Sequence, residues 1–495
     1  MDPMKKTILI NSMLLTSLIA SAQMEFSTFT NTGHGGATTF ATDYQATGIN
    51  PANLGWDFRY TKYHFAVGLN EFAGSIHSTA LQKPELRSML GQVLGGNFKD
   101  FTREEKINAA KSFADQGFAI NADYGSLGFG FITKHAGGFA FHVNDRFQWY
   151  SKLGPQASDL IFLGKTSQYF DQLLYLNPLT QDTSIISNNP NITADSIKNI
   201  ISGVATIPKK IGELLNGSEM TMSWTREWNV SYGRRIFGDS IFALFAGVGV
   251  KYMQGTGYTS IKSENNKLTA ITSLSPSFNI DYGTAAQTAN AVSGASFPPK
   301  SVGSGWGFDF GVNVIVKNFL KIGASFINAG SIKWTGNVYE VRDTLLASTF
   351  SPGMNNYNIP GNLTDVLGAK GLLRMVGQKE IVTKLPGMGR FGASIVIKKR
   401  AEIGFDMIFP FNDEAGNFKK PVVGLGGDLY LFKWLKLQAG FVRGGNYDFS
   451  IPMGVIFIGK NGDFEGGIAS RDAYTFFTQN GPTLSLAIGF MRFRF

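Results

Sequence analysis

The chain ends in the stretch TLSLAIGFMRFRF, which runs from Thr483 to the terminal Phe495. Alternate side chains of an extended strand point to opposite faces, and large apolar residues here alternate with small ones as far as Phe490. Beyond that point the phase changes, because Met491, Phe493 and Phe495 are apolar while charged residues lie between them. An exposed terminal strand this apolar would promote aggregation unless both of its edges were paired. We therefore predict that it closes a barrel; the alternative is a buried strand of a soluble sandwich.

The composition favours a strand-rich wall in contact with lipid. Only 16% of the 495 residues are charged, and the chain has 42 Phe, 59 Gly and no Cys. Few charges with abundant Phe and Gly suit such a wall, because charged side chains are costly on the lipid-facing side of a barrel. The net charge of +9 could indicate nucleic acid, but the basic residues are scattered, without a basic helix. We expect no nucleic-acid partner and attribute the charge to attraction to anionic lipid headgroups.

Residues 1–22 have the features of a secretory signal peptide. Lys5 and Lys6 precede an apolar run, and Ala20-Ser21-Ala22 forms a small-x-small cleavage site, so the mature protein should begin at Gln23. The apolar run is too short to span a bilayer as a helix. Because no long apolar stretch follows, a chain of this kind embedded in a membrane must span it with strands.

Residues 23–57 are rich in Gly, Thr and Asn and lack period-two alternation, so they should not form a wall strand. Within them, Asn50-Pro51-Ala52-Asn53 is a turn signal, because Pro fixes φ and the flanking Asn side chains can cap. The surrounding string ATDYQATGINPANLG resembles an element near the start of the FadL-like long-chain fatty acid transporters and of the PorV-like proteins of type IX secretion. The resemblance implies an outer-membrane barrel of Bacteroidota type. It also implies that residues 23–57 form a hatch inside the barrel, with Asn50, Pro51, Ala52 and Asn53 as its motif.

The clearest hairpin joins residues 118–133 to residues 139–150. One face of its second strand is mostly apolar. The opposite face carries His142, Asn144, Arg146 and Gln148. An apolar outer face backed by a polar inner face is the pattern of transmembrane barrels, so these four side chains are predicted to face the lumen.

Strand counting predicts an all-β transmembrane barrel over residues 58–495. Residues 81–116 and 151–218 have helical spacing and are predicted to be helical inserts in extracellular loops. If the short turns and both termini are periplasmic, the count closes at about fourteen antiparallel strands, with residues 267–283 in an external loop. A barrel of that width needs a plug to avoid leaking.

The last residues also resemble the C-terminal signal of bacterial outer-membrane barrels, with Met491, Phe493 and Phe495 as the barrel-closing signal. We expect Arg492 and Arg494 at the periplasmic rim, beside lipid headgroups. The predicted location is the outer membrane of a Gram-negative bacterium. The expected partners are outer-membrane lipid and the barrel assembly machinery.

No sequence pattern of a catalytic or metal site is found. The five His residues are dispersed without metal-ligand spacing. Leu163-Gly164-Lys165-Thr166 partly matches a phosphate-binding loop, but Asp159 occupies the position of its leading Gly. We expect no cofactor, no metal and no enzymatic activity; a hydrolase assembled from residues at strand ends is a further alternative.

Two functions are compatible with this fold. The first is a FadL-like uptake channel for hydrophobic or amphipathic small molecules, and the second is a PorV-like docking barrel that binds secretion-system proteins of a type IX or gliding assembly. Fold alone cannot separate them. A continuous apolar pocket beside residues 23–57 would favour uptake, whereas a filled lumen with an apolar patch on the loops would favour docking. We favour uptake.

Overall fold

The computed structural model describes residues 28–56, 64–82, 99–133, 136–189, 192–239, 241–356, 373–398, 400–445, 447–459, 462–478 and 481–495. The predicted signal peptide, residues 1–22, and residues 83–98 of the predicted insert at residues 81–116 lie outside the described residues.

The described residues form a closed barrel of fourteen antiparallel strands, numbered β1 to β14. The strands are Phe65–Ser78, Gly117–Thr133, Gly137–Lys152, Glu219–Gly238, Phe242–Glu264, Gly303–Val316, Leu320–Trp334, Met388–Ile397, Ala401–Pro410, Val422–Phe432, Leu435–Gly444, Met453–Ile458, Phe464–Ser470 and Thr483–Arg494. Strand β14 pairs with β13 on one edge and with β1 on the other, which closes the wall. The predicted closure and strand count are therefore confirmed. All short turns lie at one end of the barrel and the longer connections lie at the other.

The outer wall of the barrel carries large apolar side chains because it faces lipid instead of water. On β6, for example, Phe310 and Val312 are 51% and 48% exposed. Aromatic residues are placed toward both ends, with Tyr252 packed on Trp306 near the long loops and Phe432 stacked on Trp434 at a short turn. An apolar band between two aromatic girdles is the outer surface of a transmembrane barrel.

A β-bulge in β14 explains the change of phase in the terminal sequence. Phe490 and Met491 are consecutive, yet both are exposed on the outer wall. The pairing with β13 shifts register at this height, between Glu465 and Gly467. A bulge inserts one extra residue, so all later side chains exchange faces. Beyond it Phe493 remains on the lipid side.

The long connections form a cap on one end of the barrel. Its first described helix, Arg103–Phe113, begins with a capping box between Thr102 and Glu105 and packs against the helix Pro155–Leu163. Phe113 stacks on Phe162 at 5.8 Å between ring centroids. The apolar core of the cap continues into the barrel mouth, where it includes Trp149 and Met222.

The prediction that residues 151–218 are mainly helical is wrong. Besides Pro155–Leu163, the described residues of the segment contain only the 3-10 turn Gly164–Thr166 and the short α-helices Ala194–Lys198 and Ile211–Leu214. The rest forms three strands, which join a fourth from a later loop in a four-stranded sheet. In sheet order they are Leu345–Thr349, Ile200–Lys210, Gln172–Leu176 and Thr183–Ser187. Runs of β-branched residues favour strands once a partner is available, but the partner at residues 345–349 is distant in sequence.

A second part of the cap extends the wall hairpin of β4 and β5 outward. The strand Lys267–Leu274 pairs with the far end of β5 and with Val338–Arg342, which in turn pairs with Arg374–Gly377. Residues 267–274 therefore lie outside the wall, as the even strand count requires. None of the helices in the described part of the chain is long and apolar enough to cross a membrane.

Candidate luminal site

Residues 28–56, which we call the luminal segment, lie inside the barrel. Every one of these residues is buried or half-buried. Inward-facing glycines on several strands are so close to the segment that an added Cβ would overlap it. They include Gly68, Gly128, Gly247, Gly311 and Gly489. Contacts with opposite sides of a closed wall can be made only from within its lumen.

The Asn-Pro-Ala-Asn motif forms a compact turn within the luminal segment. The Asn50 side chain caps the short 3-10 helix that starts at Pro51, accepting a hydrogen bond from the Ala52 amide at 3.1 Å. The Asn53 side chain donates to the Ala41 carbonyl at 2.9 Å. The motif therefore ties the end of the segment back to its middle.

The same motif packs against the inner faces of β5 and β6. The Asn50 side-chain amide donates to the Val312 carbonyl of β6 at 3.3 Å. A Cβ at Gly311 would overlap Asn50, and a Cβ at Gly247 would overlap Pro51. These two glycines are required because the backbone of the motif approaches the wall so closely.

Asp43 joins the luminal segment to the strand that closes the barrel. Its carboxylate lies 2.6 Å from the Arg492 guanidinium, and Arg492 also contacts Glu465 of β13 at 2.6 Å. Arg494 completes the network at 2.9 Å from Glu465. The expectation that Arg492 and Arg494 meet headgroups at the rim is therefore wrong: beyond the bulge both point into the lumen, where carboxylates neutralise them.

Tyr44 and Gln45 attach the segment to β1 beside this network. The Tyr44 hydroxyl donates a hydrogen bond to the Glu71 carboxylate, and the Gln45 side chain donates to both Glu71 oxygens at 3.0 Å. The Tyr44 ring occupies the space beside Gly68 and Gly128, where a Cβ would overlap it. Among the described residues, the hydrogen bonds to the buried Glu71 carboxylate thus come from Tyr44 and Gln45 of the luminal segment.

Asp406 of β9 holds the luminal segment from another part of the wall. Its carboxylate accepts hydrogen bonds from the Ala37 amide at 2.6 Å, the Thr38 amide at 2.9 Å and the Thr38 hydroxyl at 2.7 Å. Arg390 of β8 lies 3.5 Å from the same carboxylate. Polar contacts on separate strands therefore anchor the segment.

The four polar residues predicted on β3 all lie on its inner face. They are His142, Asn144, Arg146 and Gln148. Arg146 contacts Asp123 of β2 at 2.8 Å and Glu227 of β4 at 3.3 Å. Gln148 donates a hydrogen bond to the Gly416 carbonyl in a loop over the mouth at 3.4 Å.

Sequence reasoning missed most of the charged residues that line the lumen. They include Glu71, Asp123, Glu227, Lys251, Asp309, Arg390, Asp406 and Glu465. The signal that could have found them is a single charge between apolar neighbours within a strand, as in the text around Asp309 (GFDFG) and Asp406 (GFDMI). In a barrel such a residue occupies the inward phase.

Small cavities remain around the luminal segment. One of about 40 Å³ is lined by polar groups such as His142, Glu227 and Arg390, and a second of about 20 Å³ lies nearer the mouth and shares Arg146 and Glu227 with it. Each has room for about one water molecule. Among the described residues, no continuous apolar pocket of the kind that would favour uptake lies beside residues 28–56. A separate apolar cavity of about 30 Å³ lies in the cap, between Leu160, Ile211 and Leu346.

The loop between β9 and β10, residues 411–421, folds over the mouth. Asp413 forms ion pairs with Lys262 at 3.1 Å and with Lys419, and Lys419 also contacts Glu219 at 3.1 Å. Partial burial acts to raise the pKa of Asp413, but the bonds and charges of the two lysines outweigh it and hold this pKa below its usual value. No group of acidic or histidine side chains in the described residues could hold a metal ion.

The fold and the site define a transmembrane β-barrel whose lumen is filled by its own N-terminal segment. The chain belongs to the DUF5723 family, a family of unknown function, whose model matches residues 181–438. No curated protein matches the sequence.

Several solved structures are similar to this chain over most of its length. The Pseudomonas putida toluene transporter TodX aligns with 96% of this chain and 98% of its own, with 9% identity and a TM-score of 0.40. A Pseudomonas aeruginosa FadL homologue covers 96% and 97%, with 10% identity and a TM-score of 0.40. The CymD monoaromatic hydrocarbon channel covers 95% and 97%, with 7% identity and a TM-score of 0.33.

Proposed function

We propose that this protein is an outer-membrane channel for the uptake of hydrophobic or amphipathic small molecules. The observation that carries the proposal is the order of the three cavities along β4. The apolar cavity of the cap borders residues 218–220, the next borders residues between 223 and 227, and the polar cavity borders Glu227 and Asn229. A route from the cap toward the luminal segment therefore passes from apolar to polar surroundings.

This order suits a molecule with an apolar body and a polar end. The apolar part would leave water for the core of the cap, which releases free energy in proportion to the apolar area buried. The polar end would reach the innermost cavity, where Arg146, Lys251 and Arg390 supply hydrogen-bond donors and Glu227 and Asn229 supply acceptors. A purely hydrophilic solute would gain no such free energy in the apolar cavity of the cap.

Passage requires the luminal segment to shift, because each cavity is far smaller than the ~300 Å³ of a typical ligand pocket. The segment is held by ion pairs and hydrogen bonds to the wall and by apolar packing of residues such as Ile49 and Leu54. Water can replace the polar contacts, and the apolar body of the ligand can replace the apolar ones. The filled lumen, and the lack of a continuous apolar pocket beside residues 28–56 among the described residues, then correspond to a closed state of the channel.

The test is uptake into proteoliposomes of a fluorescent alkyl sulfonate, whose permanent charge makes unassisted crossing slow. Ile211→Trp should lower the rate severalfold by filling the cap cavity, because Ile211 is 3% exposed there. Ile207→Trp is the matched control, since Ile207 is 82% exposed on the cap sheet. Equal rates for intact protein and empty liposomes, or equal rates for the two variants, would overturn the proposal. Heat-modifiable migration on gels checks that each variant is folded.

A further inference from the structure

A groove of about 620 Å³ crosses the outer wall over β4 to β7. Its floor follows one row of paired residues, in which Arg234 lies opposite Ala246, Ala246 opposite Val312, and Val312 opposite Ala324. The next row toward the cap is larger. It consists of Tyr232, Val248, Phe310 and Phe326. Two alanines below a row of large side chains leave a slot in the lipid-facing surface.

The inner face of the wall also carries small residues behind this groove. Gly247 and Gly311, which follow Ala246 and precede Val312, face the lumen and contact the Asn50-Pro51 motif. The motif needs glycines there for its close approach, and the wall carries small residues on its outer side as well. The groove therefore lies directly outside the docking site of the luminal segment.

Arg234 stands at one end of the groove as an exposed cation. None of the described carboxylates forms an ion pair with it, although Arg146, Arg226, Arg390 and Arg492 all have such partners. Arg234 lies at the depth of the lipid headgroups, because it is close to the short turns. The hydroxyl of the neighbouring Tyr232 donates a hydrogen bond to the Ala136 carbonyl in one of these turns, at 2.6 Å. Tyr and cationic residues at the edge of an apolar band contact the headgroup layer.

We propose that this groove binds one phospholipid from the leaflet next to the short turns. The guanidinium of Arg234 binds the phosphate, for which its planar set of donors is well matched. One acyl chain lies along the row of Ala246, Val312 and Ala324, beneath Phe310 and Phe326. The groove volume of about 620 Å³ lies within the range of ~300–1,000 Å³ found for small-molecule sites.

The test is native mass spectrometry of the purified barrel after exchange into phosphate-free detergent, followed by titration with phosphatidylglycerol. The intact protein should retain one phospholipid. Arg234→Gln should weaken binding about tenfold, because a charge-assisted hydrogen bond to the phosphate is lost. Ala246→Phe should weaken it similarly by filling the floor of the groove.

Matched controls are available on β11, on the outer wall away from the groove. Arg443→Gln and Ala439→Phe make the same changes at exposed wall positions and should leave the retained lipid unchanged. The proposal is overturned if the intact protein retains no phospholipid, or if groove and control variants lose it equally. Competition by inorganic phosphate as effective as that by phospholipid would also overturn it, because the acyl contacts would then contribute nothing.

Discussion

The Arg492 guanidinium of the closing strand lies 2.6 Å from the Asp43 carboxylate of the luminal segment. Both side chains are buried within the barrel. The strand that seals the wall is therefore also the strand that holds the segment in the lumen. Since removing one member of a buried ion pair leaves the other charge uncompensated, the contact joins the stability of the barrel to the position of its plug.

Arg492→Gln should destabilise the folded barrel. Loss of one partner from a buried ion pair costs about 3 kcal/mol, and here Asp43 and Glu465 would share only Arg494. The temperature at which the folded band disappears from gels should fall. Arg443→Gln, at an exposed position on the outer wall, serves as the control. If the folded band disappears at the same temperature for both variants, the ion pair between Arg492 and Asp43 contributes nothing to the stability of the barrel.

Gly68→Ala should displace the luminal segment, because a Cβ at this position would overlap Tyr44. The expected result is a larger single-channel conductance in planar bilayers. Gly74→Ala is the matched control on the outer side of the same strand, where the nearest atoms to the added Cβ would be those of the Phe72 ring, at 3.0 Å. Adding Tyr44→Ala to Gly68→Ala removes the overlap, so the double variant separates this clash from any general weakening of β1. If Gly68→Ala and Gly74→Ala conduct alike, Tyr44 does not hold the segment in the lumen.

Deletion of residues 28–53 should open the barrel to ions. The wall has fourteen strands, and a barrel wider than the eight-stranded kind is not filled by its own side chains. Conductance of the deleted protein should therefore exceed that of the intact chain in the same bilayer and salt. Unchanged conductance in a barrel that still shows heat-modifiable migration would mean that other parts of the chain block the lumen.

The loop at residues 411–421 should loosen in acid. Asp413 has a lowered pKa in the folded protein. Its contribution to the stability of the folded loop is therefore fully present above the usual carboxyl pKa of about 3.9, and it is lost as the pH falls through the lower pKa of the folded protein. Because the chain has no Cys, a single spin label can be attached at Glu414→Cys. Label mobility should rise only at low pH, and Asp413→Asn should raise it at neutral pH. A label at Ser187→Cys in the cap sheet should show neither change.

The predictable part of the fold rests on side-chain alternation. In β14 the alternation up to Phe490 gave the strand, and the apolar residues at its end gave a reason to expect closure. The luminal face of β3 could be predicted in the same way, because the polar residues on it follow a strict period of two. They are His142, Asn144, Arg146 and Gln148. The sheet of the cap could not be predicted, because the strand Ile200–Lys210 takes one of its two neighbours from residues 345–349, and local spacing does not indicate such a distant pairing.

The sequence by itself determined that this chain forms a barrel with an apolar outside and a polar inside, since lipid and lumen impose opposite preferences on alternate residues. It did not determine on which face of the wall the charged side chains at the end of the chain lie. Arg492 appeared suited to a headgroup at the rim, and only the bulge after Phe490, together with the carboxylates of Asp43 and Glu465, turned it into the lumen. A one-residue shift in register reverses the faces of a strand, and its position depends on the neighbouring strands and on the segment packed inside them.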